Sequence, residues 1–206
     1  MESSKISQVA AQFTLTLDDA RTAKLRAWLE LLMTWNRKLD LTAAKKESDV
    51  LDVMLTDAFV LAKHLPENAR VVDVGSGAGA PGLPLAIARP DLKVTLAEPL
   101  TKRVSFLRTA IGAVERPDVI VKRVRSDELA PGTWDIAISR ATFSPQEWLG
   151  VGANLVTEKG DVWVLIAKEE SPDASAIEPK ISLIEAFEYA WPNSGHARRA
   201  VRYSKA

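Results

Sequence analysis

The run Val71-Val72-Asp73-Val74-Gly75-Ser76-Gly77-Ala78-Gly79-Ala80-Pro81-Gly82, with Glu98 downstream, constrains this chain more than any other part of it. A largely apolar strand that runs into glycines must turn sharply. Residues without a Cβ permit that turn and let a bound group approach the backbone. Pro81 suits the first turn of a following helix, where its missing N–H costs nothing. The N–H groups free at that helix start favour an anion. A second apolar run, Leu92 to Ala97, ends on Glu98, about 20 residues past the glycines, where an acid can grip two ribose hydroxyls. Strand, loop, helix and second-strand acid together predict a nucleotide-type cofactor site, and therefore an enzyme.

Two cofactors compete for it. Gly75-x-Gly77-x-x-Ala80 fits the dinucleotide pattern with alanine last. S-adenosylmethionine explains more. Asp73, two residues before the first glycine, can hold the cofactor's ammonium group or order the loop, and a methionine carboxylate needs only a few N–H donors. The chain also offers no separate domain for a hydride acceptor. The methyl donor is the expected cofactor, with Asp73, Gly75, Ser76, Gly77, Gly79 and Ala80 in the loop that holds it.

At 206 residues, 47% hydrophobic and 26% charged, the composition is that of one soluble globular domain with a substantial core. No run reaches the length of a membrane span. Met1-Glu2-Ser3-Ser4-Lys5 lacks the features of a signal peptide, so a cytoplasmic protein is expected. The absence of cysteine rules out disulfides, thiol catalysis and cysteine-ligated zinc. His64 and His196 are too few and too distant to suggest a metal site. His64 reads as a helix end, where a cation is favoured. A net charge of zero means that any nucleic acid must be held by a local basic patch. Nothing suggests an obligate dimer, and a monomer is expected.

Leu25, Trp28, Leu29, Leu32 and Trp35 fall at three- and four-residue steps and predict a helix over Asp18–Arg37, with Asp18 or Thr16 at its cap. A second helix is predicted from Ser48 to about His64. These helices form an N-terminal cover (residues 1–66) on an α/β core (67–206). In the core, strands Val71–Val74, Val94–Leu96, Val119–Val121, Ile136–Ser139 and Val162–Ile166 alternate with helices at Pro84–Ala88, Lys102–Ala113 and Pro145–Leu155. Ile181–Trp191 and Arg198–Tyr203, across Pro192-Asn193-Ser194-Gly195, read as a hairpin, and Glu169–Pro179 as a loop. The expectation is a Rossmann-like class I methyltransferase fold: a seven-stranded, mostly parallel sheet with a C-terminal antiparallel hairpin and an N-terminal helical cover. Ligands in open sheets bind beyond the carboxyl ends of the strands, which gathers Gly75–Ala80, Glu98, Ser126-Asp127 and Arg140 around one crevice.

At these residues the chain resembles the bacterial 16S ribosomal RNA guanine-N7 methyltransferases, the RsmG or glucose-inhibited division protein B type. The likeness spans roughly Trp35 to Lys168 and is most specific over Asp73–Pro90, where Pro81-Gly82-x-Pro84 is distinctive. Thr101-Lys102-Arg103-Val104-x-Phe106-Leu107, Ile138-Ser139-Arg140-Ala141 and Trp35-Asn36-x-Lys38-x-x-Leu41-Thr42-Ala43 also match. The resemblance implies cofactor contacts at Gly75, Ala80, Ser126, Asp127 and Arg140, with Glu98 on the ribose. It implies 16S rRNA, as the small ribosomal subunit or an assembly intermediate, as substrate. Departures fall at Asp40, where the family usually has Asn, at Met54 and Ala58, where it has His and Ser, at Glu169 and in the C-terminal pattern.

Guanine N7 carries a free lone pair, so its methylation needs positioning rather than a general base. Arg140 is the first choice for positioning the base through O6 or stacking, since N7 must stay free. The alternative is a surface arginine, or one holding Asp135. Lys102 and Arg103 can bind phosphate or form a solvated helix turn. Asn36 and Asp57 can reach the pocket or act as structural partners, and Lys168 can touch RNA or end a strand. Arg198, Arg199, Arg202 and Lys205 form a basic cluster that suits nucleic acid and, equally, a solvated strand face. The six tryptophans read as core. Two other functions remain open: the same fold acting on another RNA or a small molecule, and a non-catalytic RNA-interaction module with a retained cofactor pocket.

Overall fold

The structure, a computed structural model, describes residues 1–167 and 170–206. Three helices come first: α1 (Ser3–Gln12), α2 (Asp19–Leu39) and α3 (Glu47–His64). The α/β part follows as β1 (Arg70–Val74), α4 (Gly82–Ala88), β2 (Lys93–Ala97), α5 (Thr101–Ala113), β3 (Ile120–Lys122), β4 (Trp134–Ser139), α6 (Pro145–Leu155), β5 (Val156–Ile166), β6 (Ile181–Ala190) and β7 (Ala197–Lys205). A single 3-10 turn, Ser126–Glu128, lies between β3 and β4.

The seven strands run in the order β3-β2-β1-β4-β5-β7-β6. Strand β7 is antiparallel to both neighbours, and the other pairings are parallel. Alternate residues feed opposite faces, as strand geometry requires. Val71, Val94, Leu96, Ile136, Ile138 and Trp163 join the cluster packed by α1 to α5. Val72, Val74, Ala97, Ala137, Val162 and Val164 join the one packed by α6. Burial on both faces explains why these strands read as continuous apolar runs. Register then aligns the strand ends. Val74 lies opposite both Ala97 and Ser139, so Gly75, Glu98 and Arg140 leave the sheet at one level.

Helix α2 starts where Asp18 accepts a hydrogen bond from Arg21 N at 2.7 Å, and it buries Leu25, Trp28, Leu29 and Leu32. It ends on Asp40 in the left-handed region (φ 45°), which Asn and Asp both tolerate; the Asp-for-Asn departure is therefore conformationally neutral. Met54 and Ala58 are buried inside α3, so those departures alter packing rather than a surface.

Helix α1 has no counterpart among the expected elements. Its apolar set is short (Ile6, Val9, Ala10), and its start has no side-chain cap. Strand β5 begins six residues earlier than expected, at Val156. The polar run Thr157-Glu158-Lys159-Gly160 hides its start, because Lys159 bends with φ 64° and the pairing with β4 shifts register there. His64 does end α3, but burial pulls its imidazole below the ordinary value. It packs on Phe187 with ring centroids 3.8 Å apart, as a neutral aromatic rather than a helix-end cation.

Candidate active site

The loop between β1 and α4 is held by main-chain bonds. Gly75 N and Ser76 N donate to Ala97 O (2.8 and 3.2 Å), and Gly79 N donates to Ser76 O (2.6 Å). Gly75 and Gly77 have positive φ (74° and 54°). A Cβ on Gly75 would lie 2.1 Å from Thr142 Oγ1, so only glycine fits there. The Trp28 indole donates to Ala78 O at 3.2 Å, which ties the helical cover to the loop. Pro81 sits at the cap position, and the helix itself begins at Gly82.

Two buried carboxylates stand behind the loop. Asp73 Oδ2 accepts from Gly82 N at 2.9 Å. The anion at this helix start is therefore the protein's own side chain. Asp73 Oδ1 is buried without a partner, which is costly for a polar atom unless a donor arrives. Burial pushes the Asp73 carboxyl up to about 7, and the nearby Glu98 charge adds to the rise. The Gly82 N–H and the Arg140 charge act in the opposite direction. Glu98 accepts Gly77 N through Oε2 and Leu100 N through Oε1, both at 2.9 Å. Each oxygen keeps a lone pair. An orphaned buried acid beside a second acid, with open space over Gly77, suits a ligand carrying an ammonium group and vicinal hydroxyls.

Ser126 and Asp127 lie on the 3-10 turn beyond β3 and line a cavity of about 330 Å3 with Leu129, Val151 and Asn154. Asp127 is exposed and pairs with Arg125 at 3.6 Å. Among the described residues, no hydrogen bond joins either to the glycine loop.

Arg140 does not hold Asp135, which pairs with Arg70 at 2.6 Å. It reaches across to α3, donating to Val53 O and meeting Asp57 Oδ2 at 3.3 Å. Asp57 is buried and also accepts the Tyr189 hydroxyl (2.7 Å), with Arg198 Nη2 at 3.9 Å. Burial and the Asp57 charge hold the Tyr189 hydroxyl well above its ordinary range, so it stays protonated. This cluster joins α3, the end of β4 and the hairpin beside a cavity of about 540 Å3 bordered by Tyr189, Arg198 and Arg199. Asp57 thus organises arginines and presents almost no surface of its own. Tyr189 and Thr142 carry no sequence motif and were found only by their contacts.

Asn36 braces the turn after α2. Its side-chain nitrogen donates to Thr42 O and its oxygen accepts Thr42 N, both at 2.9 Å. The basic cluster of β7 is ion-paired throughout: Arg199 with Glu188 (2.6 Å), Arg202 with Asp161 (2.8 Å) and Glu185 (3.3 Å), Lys205 with Glu158 (3.3 Å). Arg199 and Arg202 therefore each have an acidic partner on this strand face. Lys102 is exposed, and Arg103 lies 3.9 Å from Glu98. Lys168 lies outside the described residues. Among the described residues no group of three His, Asp or Glu is placed to hold a metal, and no helix is long and apolar enough to cross a membrane.

Strand order, the reversed β7, the glycine loop and the acid ending β2 define a class I methyltransferase. Solved structures share that fold at low identity. Coclaurine N-methyltransferase, bound to N-methylheliamine and SAH, matches with TM-score 0.61 and 10% identity, covering 98% of this chain and 94% of that one. A SAM-dependent methyltransferase from Aquifex aeolicus matches with TM-score 0.61 and 17% identity over 81% and 97% of the two chains. The GidB family model, described as rRNA small subunit methyltransferase G, matches residues 21–201, and the chain belongs to that family. Ribosomal RNA small subunit methyltransferase G of Anaeromyxobacter dehalogenans is 33% identical over 193 residues, covering 91% of this chain and 89% of that protein. The protein of that name from Methylobacillus flagellatus is 34% identical over 179 residues, covering 85% and 86%.

Proposed function

We propose that this chain transfers a methyl group from S-adenosylmethionine to N7 of a guanine in 16S rRNA of the small ribosomal subunit. One observation carries the reading: the glycine loop of a GidB-family chain is backed by a buried Asp73 oxygen without a donor. S-adenosylmethionine supplies an electrophilic methyl on a sulfonium sulfur. Asp73 is assigned to the cofactor's ammonium group and Glu98 to the ribose hydroxyls, with Gly75, Ser76, Gly77, Gly79 and Ala80 forming the loop along which the cofactor lies and Gly77 leaving the open side. Ser126 and Asp127 are assigned to the adenine end.

The N7 lone pair forms the new N–C bond, the S–C bond breaks, and its electron pair returns to sulfur. Positive charge ends on the base and no proton moves, so neither a general base nor a nucleophilic side chain is required. The protein's part is to orient the base and exclude water. Arg140, fixed by Asp57 and Val53 O, orients the base by donating to O6 or by stacking, leaving N7 free. The protein works as a cytoplasmic monomer.

The reading is tested by labelled methyl transfer to unmethylated 16S rRNA, presented naked and as small subunits. Label in either RNA is expected. Tight S-adenosylhomocysteine binding without transfer to any RNA would replace it with a binding module that retains a cofactor pocket.

A further inference from the structure

Helices α2 and α5 lie side by side and antiparallel. Lys24, near the start of α2, meets Glu115 just beyond α5 (Nζ to O 3.3 Å), whereas Trp35, near the end of α2, packs edge-on against Phe106 with centroids 5.6 Å apart. The last turn of α2, carrying Arg37 and Lys38, is thereby set beside the first turn of α5, carrying Lys102 and Arg103. Arg123, after β3, joins them by donating to Thr101 Oγ1 at 3.1 Å.

Two features set this corner apart. Among the described residues, Arg37, Lys38, Lys102 and Arg123 form no ion pair, unlike the arginines of β7. Moreover, α5 opens with two cations and no acid, against the favoured sign at a helix start. On the last turns of α2, Thr34, Trp35, Lys38 and Leu39 line a mostly apolar notch of about 310 Å3, with room for a nucleobase. Arg103 connects the corner to the glycine loop through Glu98.

We propose that this corner docks single-stranded RNA next to the target base: the notch takes a base against Trp35, while Lys38, Lys102 and Arg123 take phosphates. An aromatic stacking surface flanked by cations is the arrangement that holds a single strand without reading its sequence. The inference rests on the RNA-substrate reading above.

The test uses the full chain and a fluorescent single-stranded oligoribonucleotide of about ten nucleotides, a length that spans one such site. Affinity is measured against salt concentration. The triple variant K38A/K102A/R123A is expected to lose roughly two from the slope of log affinity against log salt, about 0.7 per released contact. Its S-adenosylhomocysteine affinity should stay at the wild-type value, and R199A should keep the wild-type slope. Trp35→Leu should bind RNA about tenfold more weakly and Trp35→Phe should recover most of that loss, with melting curves checking that both fold. An unchanged slope in the triple variant, with methyl transfer intact, would overturn this surface while leaving the proposed function standing. Loss of transfer to small subunits without loss of oligoribonucleotide binding would make the occupant a ribosomal protein instead. Failure of the wild type to bind or methylate any RNA, with cofactor binding intact, would overturn both readings.

Discussion

The glycine loop and the β6–β7 hairpin are both fixed by buried carboxylates, which for the most part hold different things. At the loop, Asp73 and Glu98 hold main-chain N–H groups of Gly82, Gly77 and Leu100. At the hairpin, Asp57 and Asp161 hold the side chains of Arg140, Arg198, Tyr189 and Arg202, and only Asp52 there accepts main-chain N–H groups, those of Asn193 and Ser194 in the turn. Backbone donors exist whatever the side chains are, so the loop keeps lone pairs and space for a ligand. Arginines held by acids have already found their counter-charges. A basic stretch in the sequence is therefore not a basic surface until its acids are accounted for.

Substitution can break each side of this contrast separately. The largest effect is expected of Gly77→Asp. A Cβ there meets nothing closer than 3.8 Å, and aspartate tolerates a φ of 54°, so the chain should fold. The new carboxylate enters the open side of the loop beside Glu98, and calorimetry should detect no cofactor binding. Near-wild-type binding would mean that the cofactor does not lie along this loop.

Asp57→Ala attacks the hairpin. It leaves the largely buried Arg140 and Arg198 charges and the Tyr189 hydroxyl without their acceptor, and a loss of about 3 kcal/mol in unfolding free energy is expected from denaturant titration. Cofactor affinity should fall far less, because the loop keeps its own carboxylates. A variant as stable as wild type would show that the cluster does not hold the hairpin.

The most graded effect is a pH slope. Asp73 titrates near 7 in the folded chain, against about 3.8 in the unfolded one. The folded state therefore binds the extra proton across that window. The contribution of Asp73 to stability is fully present below about pH 4 and is lost as pH rises through about 7. A cationic ligand favours the ionised carboxylate, so cofactor affinity should rise over the same window while stability declines. Asp73→Asn should flatten both profiles. A cofactor affinity independent of pH between about 6 and 8 would remove Asp73 from the ammonium site.

Much of the fold was legible because its signals are local. Apolar runs marked β1, β2 and β4, the Asp18 cap marked α2, and the glycine spacing marked the turn into α4. The turn of the candidate site's loop was legible for the same reason, since a positive φ and a close approach leave their mark as glycine. What was hidden depends on tertiary partners. Helix α1 is short and uncapped, and the start of β5 is masked by a polar bend. The pairing of Asp57 with Arg140 spans 83 positions, and that of Tyr189 with Asp57 spans 132, so no window of sequence contains them. The β7 arginines looked free because their partners depend on hairpin register and strand pairing: Glu188 and Glu185 lie on β6 and Asp161 on β5.

The measurement that tests the account most directly is nucleoside mass spectrometry of 16S rRNA after incubation, as small subunits lacking the modification, with this chain and S-adenosylmethionine. The account predicts 7-methylguanosine, formed without a general base. A methyl group on the exocyclic amine, on a ribose hydroxyl or on another base would contradict it, because those products require proton removal or a different presentation of the base to the Asp73–Glu98 loop.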